Sequence, residues 1–168
     1  MEYQGRVLIA DDEEIFLHST ADLLRREGFE CDCVLDADAA LDKLRNNDYD
    51  LLIADIKMPG NPELELVHQL PEVAQGLPVI LVTGYPSLRS AIQSVQLPVV
   101  AYMVKPIDID ELLGHVRTHT EVSRTYRIVR RTRERIEGYT RDLGQIEQLM
   151  RTPVEGAAAA PVEAFMTL

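Results

Sequence analysis

The sequence predicts an α/β protein: a doubly wound, five-stranded parallel sheet followed by a long C-terminal helix. Three observations carry that expectation. Five short apolar runs alternate with amphipathic stretches, the pattern of a parallel sheet covered on both faces. Four of the runs end in reactive groups: Val7 to Ala10 in Asp11-Asp12, Leu51 to Ala54 in Asp55, Val79 to Val82 in Thr83-Gly84, and Val99 to Val104 in Lys105-Pro106. The carboxyl edge of an open parallel sheet is where sites form. From about Thr120 the period changes, and Val122, Val129, Ile136, Leu143 and Met150 recur every seven residues.

In chain order, residues 6–10 form the first strand. Residues 12–27 form an amphipathic helix with Ile15, Leu17, Leu23 and Leu24 among its apolar positions, and Gly28 suits its stop. Residues 29–35 are a less apolar strand, expected at an edge. Residues 36–46 are helical, and residues 49–54 are the third strand. Pro59-Gly60-Asn61-Pro62 is a loop. Residues 63–74 are helical, with Pro71 expected to distort or end the helix. Residues 78–82 form the fourth strand, Ser87 caps a short helix through Val95, and Pro98 precedes the fifth strand. Asp108 starts a helix with Leu112, Leu113 and Val116 inward. The expected organisation is a folded domain over 1–119, a helical extension over 120–152, and an Ala/Pro-rich linker or tail over 153–168, with Pro153 ending the long helix. Gly138 and Gly144 weaken that helix. Apolar residues return at Phe165-Met166-Thr167-Leu168, consistent with a truncated chain or a missing downstream domain.

Composition narrows the class. The 46% hydrophobic content suits a soluble globular chain, and 5% aromatics without Trp imply an aliphatic core. The formal net charge of −11 argues against general nucleic-acid binding. It is uneven: residues 1–118 carry net −12 and residues 119–168 net +1. Cys31 and Cys33, two apart on a strand, read as free thiols. No signal peptide or membrane-spanning run is legible, and the expected location is the cytoplasm.

The residues Val7-Leu8-Ile9-Ala10-Asp11-Asp12-Glu13, Tyr49 to Asp55 with Met58-Pro59-Gly60, Val82-Thr83-Gly84-Tyr85 and Tyr102-Met103-Val104-Lys105-Pro106 agree in order, spacing and strand context with one family. Over roughly residues 5–120 the chain resembles the CheY-like (flavodoxin-type) receiver domains of two-component response regulators. The chemistry is consistent on its own terms. Three carboxylates at one sheet edge repel and call for a cation, and Mg²⁺ or Mn²⁺ takes oxygen ligands while keeping several waters. Asp11, Asp12 and Asp55 would hold the ion, joined, as the resemblance implies, by the backbone carbonyl of Lys57. Asp55 is then the phosphoryl acceptor, Lys105 a compact counter-charge, and Thr83 a hydrogen-bond donor, with Gly84 leaving room for entry. The phosphodonor implied is a sensor histidine kinase or phosphotransfer protein. The chain would catalyse only its own phosphorylation and slow loss of the group.

The resemblance also implies an output. Thr83 moves toward the phosphoryl group, Tyr102 rotates into the vacated space, and the surface of the fourth helix, fifth strand and fifth helix changes. It further marks Lys105-Pro106 as a candidate cis peptide. Two loops depart from the family pattern: Leu97-Pro98 stands where Gly-Ala is usual, and Pro62-Glu63 replaces Asp-Gly. Lys57 and Tyr85 flank the water path and offer no carboxylate or amide, so dephosphorylation is expected to be slow. In the tail, Val122, Tyr126, Val129, Ile136 and Leu143 are the expected seam of a dimeric coiled coil. The second row, His119, Tyr126, Arg133, Thr140 and Glu147, is mixed. Six arginines between Arg124 and Arg135 read as a solvated coiled-coil face, with phosphate contact to nucleic acid as the alternative. His115 and His119 lack a kinase-like setting. A haloacid-dehalogenase-type phosphatase would need an acid two residues after Asp55, where Lys57 stands.

Overall fold

The computed structural model describes residues 3–151, with strands β1 (Gly5–Ala10), β2 (Phe29–Val34), β3 (Leu51–Asp55), β4 (Val79–Thr83) and β5 (Val99–Val104) and helices α1 (Glu14–Arg26), α2 (Ala37–Asn46), α3 (Glu65–Val73), α4 (Leu88–Ser94) and α5 (Ile109–Arg151). All strand pairs are parallel, in the order β2-β1-β3-β4-β5. The order reverses between β1 and β3, and that switch point delivers Asp11 and Asp55 side by side. β3 and β4 are buried at every residue, which is why they read as unbroken apolar runs, whereas half-buried β2 is the edge its composition implied.

Strand residues alternate between two cores. Leu8, Ala10, Leu52, Ala54 and Leu81 pack with Leu41 and Leu44 of α2 and Leu66, Val67 and Leu70 of α3. Val7, Ile9, Ile53, Ile80 and Val82 pack with Leu17, Ala21 and Leu24 of α1 and Leu112 and Val116 of α5. Fully burying each of the Val, Leu and Ile side chains among these contributes about 1.5–3 kcal/mol. The buried stripe of α1 is Leu17, Thr20, Ala21 and Leu24, at helical spacing. Ile15 falls off that stripe and is 84% exposed, so the apolar set expected for this helix was one residue too generous.

Local signals set the boundaries. The Asp36 carboxylate accepts the Ala39 N–H at 2.7 Å and caps α2. Ser87 accepts from the Ser90 N–H at 3.1 Å and caps α4. A 3-10 turn, Pro62–Leu64, precedes α3. Pro71 sits inside α3, and the helix ends two residues later at Val73. A proline in the last turn forfeits only one backbone bond, so it shortens the helix without stopping it on the spot. Leu64, at φ 67 and fully buried, turns the chain from the 3-10 turn into α3.

The chain divides into two units, Met1–Ile128 and Val129 onward. Within the first unit, α5 stays bound to the domain beyond Val116. Thr120 is buried, Arg124 donates to the carbonyls of Tyr3 (3.3 Å) and Gln4 (3.2 Å), and the Arg127 guanidinium lies 2.9 Å from the Asp50 carboxylate. Of the second unit the structure describes the remainder of α5, which continues through Gly138 and Gly144 and exposes Val129, Ile136, Tyr139, Leu143, Ile146 and Met150. The expectations for Pro153 and the 153–168 tail lie outside the described residues.

Candidate functional site

β1, β3, β4 and β5 end at one edge of the sheet and present Asp11, Asp55, Thr83 and Lys105 there. Asp11 and Asp55 are buried and Asp12 is exposed; one ligand oxygen from each lies within 4.8 Å of the others. The Lys105 ammonium sits 2.7 Å from Asp11, 3.0 Å from Glu13 and 3.6 Å from Asp55. Backbone amides fix the acids: the Glu13 N–H donates to Asp11 at 2.8 Å and the Lys57 N–H to Asp55 at 3.1 Å. These bonds leave the opposite lone pairs of each carboxylate for other ligands. Thr83 is fully buried; its hydroxyl oxygen accepts the Tyr85 N–H at 3.1 Å, which leaves the hydroxyl hydrogen to be donated elsewhere.

The electrostatics describe a site with one cation too few. Burial pushes the Asp55 carboxyl above its usual range; the Lys57 N–H opposes that, the Asp11 carboxylate adds to it, Lys105 opposes it and Asp12 adds to it. Burial works against the Lys105 charge, yet bonds to Asp11 and Glu13 and the field of Asp55 outweigh it and hold its pKa high. A hard divalent ion at the three acids relieves this crowding, and an all-oxygen donor set suits Mg²⁺. The residues present fit such an ion.

The sequence reading missed several supporting residues. Buried Asn61 donates to the carbonyls of Asp55 and Ile56, both at 3.1 Å, and accepts the Leu66 N–H at 2.9 Å, tying the loop after Asp55 to α3. Within Pro59-Gly60-Asn61-Pro62 an asparagine reads only as a turn former. The Phe16 ring lies 4.2 Å from the Lys105 ammonium, a cation–π contact across elements that no local pattern announces. The Lys57 ammonium lies 4.6 Å from the Tyr85 ring centroid, so the two flanking residues meet. Tyr102 is half-buried and its hydroxyl shares a hydrogen bond of 2.9 Å with Ser90 of α4. The peptide before Pro106 is cis. A cleft of about 590 Å³ opens beside the acids, lined by Asp12, Lys57, Asn61, Ser87 and Ser90 among others.

Elsewhere, Cys31 and Cys33 are free thiols, and burial pushes the Cys31 thiol up to about 12, so it stays protonated. No helix among the described residues is long and apolar enough to cross a membrane.

Parallel strands in this order, with acids on β1 and β3 facing a lysine on β5, define the class. A family model described as the response regulator receiver domain matches residues 7–117, and the chain belongs to that family. Among curated relatives, it is 34% identical over 112 residues to Transcriptional regulatory protein TctD of Salmonella typhimurium, covering 67% of this chain and 50% of the relative. It is 34% identical over 111 residues to Sensory transduction protein RegX3 of Mycobacterium bovis, covering 66% and 48%. The chain thus spans about half the length of these relatives. Among solved structures, a CheY-like receiver domain protein from Methanospirillum hungatei matches with TM-score 0.69 and 30% identity, covering 74% of this chain and 99% of that one. The response regulator TrrA from Thermotoga maritima, solved in complex with Mg²⁺-BeF, matches with TM-score 0.60 and 34% identity, covering 67% and 96%.

Proposed function

We propose that this receiver is a phosphorylation-dependent switch in the cytoplasm, in which Asp55 takes a phosphoryl group from a sensor histidine kinase or phosphotransfer protein. The observation that carries it is the meeting of Asp11, Asp12 and Asp55 oxygens within 4.8 Å, with Lys105 3.6 Å from Asp55. Asp11, Asp12, Asp55 and the Lys57 carbonyl would hold Mg²⁺ or Mn²⁺, which supplies charge neutralisation for an incoming phosphoryl group. A carboxylate oxygen of Asp55 bonds to phosphorus as the phosphorus–nitrogen bond of the donor histidine breaks, and the freed imidazole keeps the electron pair. Lys105 turns from Asp11 toward the phosphoryl oxygens, and the Thr83 hydroxyl donates to another. As Thr83 moves, Tyr102 leaves Ser90 and swings inward, altering the surface of α4, β5 and α5.

The chain performs no other chemistry in this reading. Loss of the phosphoryl group is slow because Lys57 and Tyr85 bind each other and neither orients a water. The signal runs into the extension of α5, which pairs with a second copy of the chain. The nucleic-acid alternative is weakened by the commitments of the arginines: Arg124 and Arg127 hold the folded domain, and Arg130 and Arg133 pair with Glu134 and Glu137. The test is treatment with acetyl phosphate or beryllofluoride plus Mg²⁺, following intact mass and light scattering, with Asp55→Asn as control. One phosphoryl group on the wild type and none on the variant is expected. An unmodified wild type overturns the switch, and a monomer in both states overturns the pairing.

A further inference from the structure

The second unit exposes more than a single apolar row. Val129, Ile136, Leu143 and Met150 are 60%, 58%, 62% and 82% exposed, and Tyr139 and Ile146, three positions after Ile136 and Leu143, are 61% and 52% exposed. At 100° per residue, these six fall in one stripe about 100° wide. The second row of the seam is therefore Thr132, Tyr139 and Ile146, and the mixed row containing Arg133, Thr140 and Glu147 becomes a flank. On that flank Arg133 precedes Glu147; on the opposite flank Arg135 precedes Asp142. Both flanks run from basic to acidic in the same direction.

From this pattern we propose that the extension pairs with a second copy of the chain antiparallel, with Ile136 of one helix level with Tyr139 of the other. The inference rests on the pairing within the proposed function and adds its direction and register. Flanking charges set orientation in coiled coils. In a parallel, in-register pair, opposite flanks meet: Arg135 faces Thr140, and Asp142 faces Glu147 of the second copy, a repulsion made twice. Sliding a parallel pair by seven residues sets Arg133 against Arg135 on one side and Glu147 against Arg135 on the other, so the charges cancel while a heptad of each helix loses its apolar partner. Reversing one helix brings like flanks together, so that Arg133 meets Glu147 and Arg135 meets Asp142, each twice. A shift of the antiparallel pair by one heptad either way loses this, placing Arg135 against itself or Asp142 against itself. The core layers of the favoured register are Val129 with Ile146, Thr132 with Leu143, and Ile136 with Tyr139, each made twice. Every layer contains at least one large apolar side chain, whereas a parallel pair stacks Thr132 on itself. The i,i+4 pairs Arg130–Glu134 at 2.9 Å and Arg133–Glu137 at 2.7 Å support each helix alone.

The experiment measures the dimer dissociation constant of the full chain by sedimentation or light scattering, with and without beryllofluoride and Mg²⁺. Glu147→Arg converts two attractive antiparallel contacts into repulsive ones and is expected to weaken the dimer roughly tenfold, on the scale of exposed ion pairs. Arg133→Glu combined with Glu147→Arg restores the affinity. In a parallel dimer Glu147→Arg would instead pair with Asp142 and tighten association, and that result overturns the proposed direction while leaving the pairing intact. A wild-type chain that is monomeric in both states overturns the pairing and this inference with it, without touching phosphorylation. Spin labels at Gln148→Cys, with Cys31 and Cys33 replaced by alanine, give an independent reading. Antiparallel helices separate the labels by about 30 Å along the axis at 1.5 Å per residue, and parallel helices place them level.

Discussion

Arg127→Ala tests how the domain holds its output helix. Asp50 lies at the foot of β3, fully buried, on the sheet edge opposite the acids. One carboxylate oxygen accepts the Arg6 N–H at 2.9 Å. The other has no directed hydrogen bond, although the Arg127 guanidinium approaches it to 2.9 Å. The attraction is therefore chiefly one of charges. Removing one member of a fully buried pair costs about 3–5 kcal/mol, because the remaining charge is left without a partner. The Arg127 side chain is 27% exposed, so water can enter from its side and soften the penalty. A loss of about 2–3 kcal/mol follows, a large share of the ~5–15 kcal/mol that holds a typical domain together. The midpoint of thermal unfolding falls by roughly 10 °C. The assay is urea unfolding of the full chain, repeated in an Asp50→Asn background. There the buried charge is gone, and Arg127→Ala is expected to cost under about 1 kcal/mol. Equal losses in both backgrounds, or a loss below about 0.5 kcal/mol in the wild type, would refute the charge argument. Gly5 lies against the same carboxylate, at φ +141, and a Cβ there would stand 3.2 Å from the Asp50 oxygen.

Three further outcomes follow from the site. Asp55 has a folded-state pKa raised by burial and by Asp11, so the native chain keeps this proton where the unfolded chain has lost it. Stability from this group is thus greatest in acid and falls as pH climbs from the unfolded value, about 3.9, through the folded one. Asp55→Asn is expected to raise the metal-free melting temperature at neutral pH by a few degrees, roughly 1 kcal/mol, and to lose most of the stabilisation that Mg²⁺ gives the wild type; scanning fluorimetry reads both, and a lowered metal-free midpoint contradicts the reasoning. Asn61→Ala strands the carbonyls of Asp55 and Ile56 and the Leu66 N–H, and is expected to cost about 2–4 kcal/mol in urea unfolding and to slow phosphorylation by acetyl phosphate. Lys57→Asn breaks the contact with Tyr85 and supplies an amide to orient water, and is expected to shorten the phosphoryl half-life about tenfold or more. A wild-type half-life of seconds under Mg²⁺ would contradict the slow-release reading.

The sheet and its acid edge were legible because burial on both faces writes a strand as an unbroken apolar run, and because the residue after such a run lands at the carboxyl edge. Asp11, Asp55 and Thr83 each close or follow one, and Lys105 follows the apolar but half-buried run of β5. What stayed hidden depends on side chains meeting across distant segments. Asp50 looks like any polar residue before a strand until Arg127, 77 positions later, is seen against it. Arg124 and Arg127 could not be separated from their neighbours by composition, since an arginine run reads as one face whichever members are engaged. Asn61 looks like a turn residue and Ser90 like an ordinary residue in the first turn of a helix, and their bonds to the Asp55 loop and to Tyr102 appear only in three dimensions. In the tail the heptad row was legible, but its second row was not: two rows, three and four positions on, are both mixed near the start of the extension, and they diverge only at Tyr139 and Ile146.

Chemical trapping reads whether Asp55 becomes an acyl phosphate. The protein is incubated with acetyl phosphate and Mg²⁺, reduced with borohydride, and digested for peptide sequencing by mass spectrometry. Reduction of an aspartyl phosphate leaves homoserine, which is expected at position 55 alone, absent without Mg²⁺ and absent in Asp55→Asn. Unreduced aspartate at 55 in the treated wild type, or homoserine at another position, would contradict it.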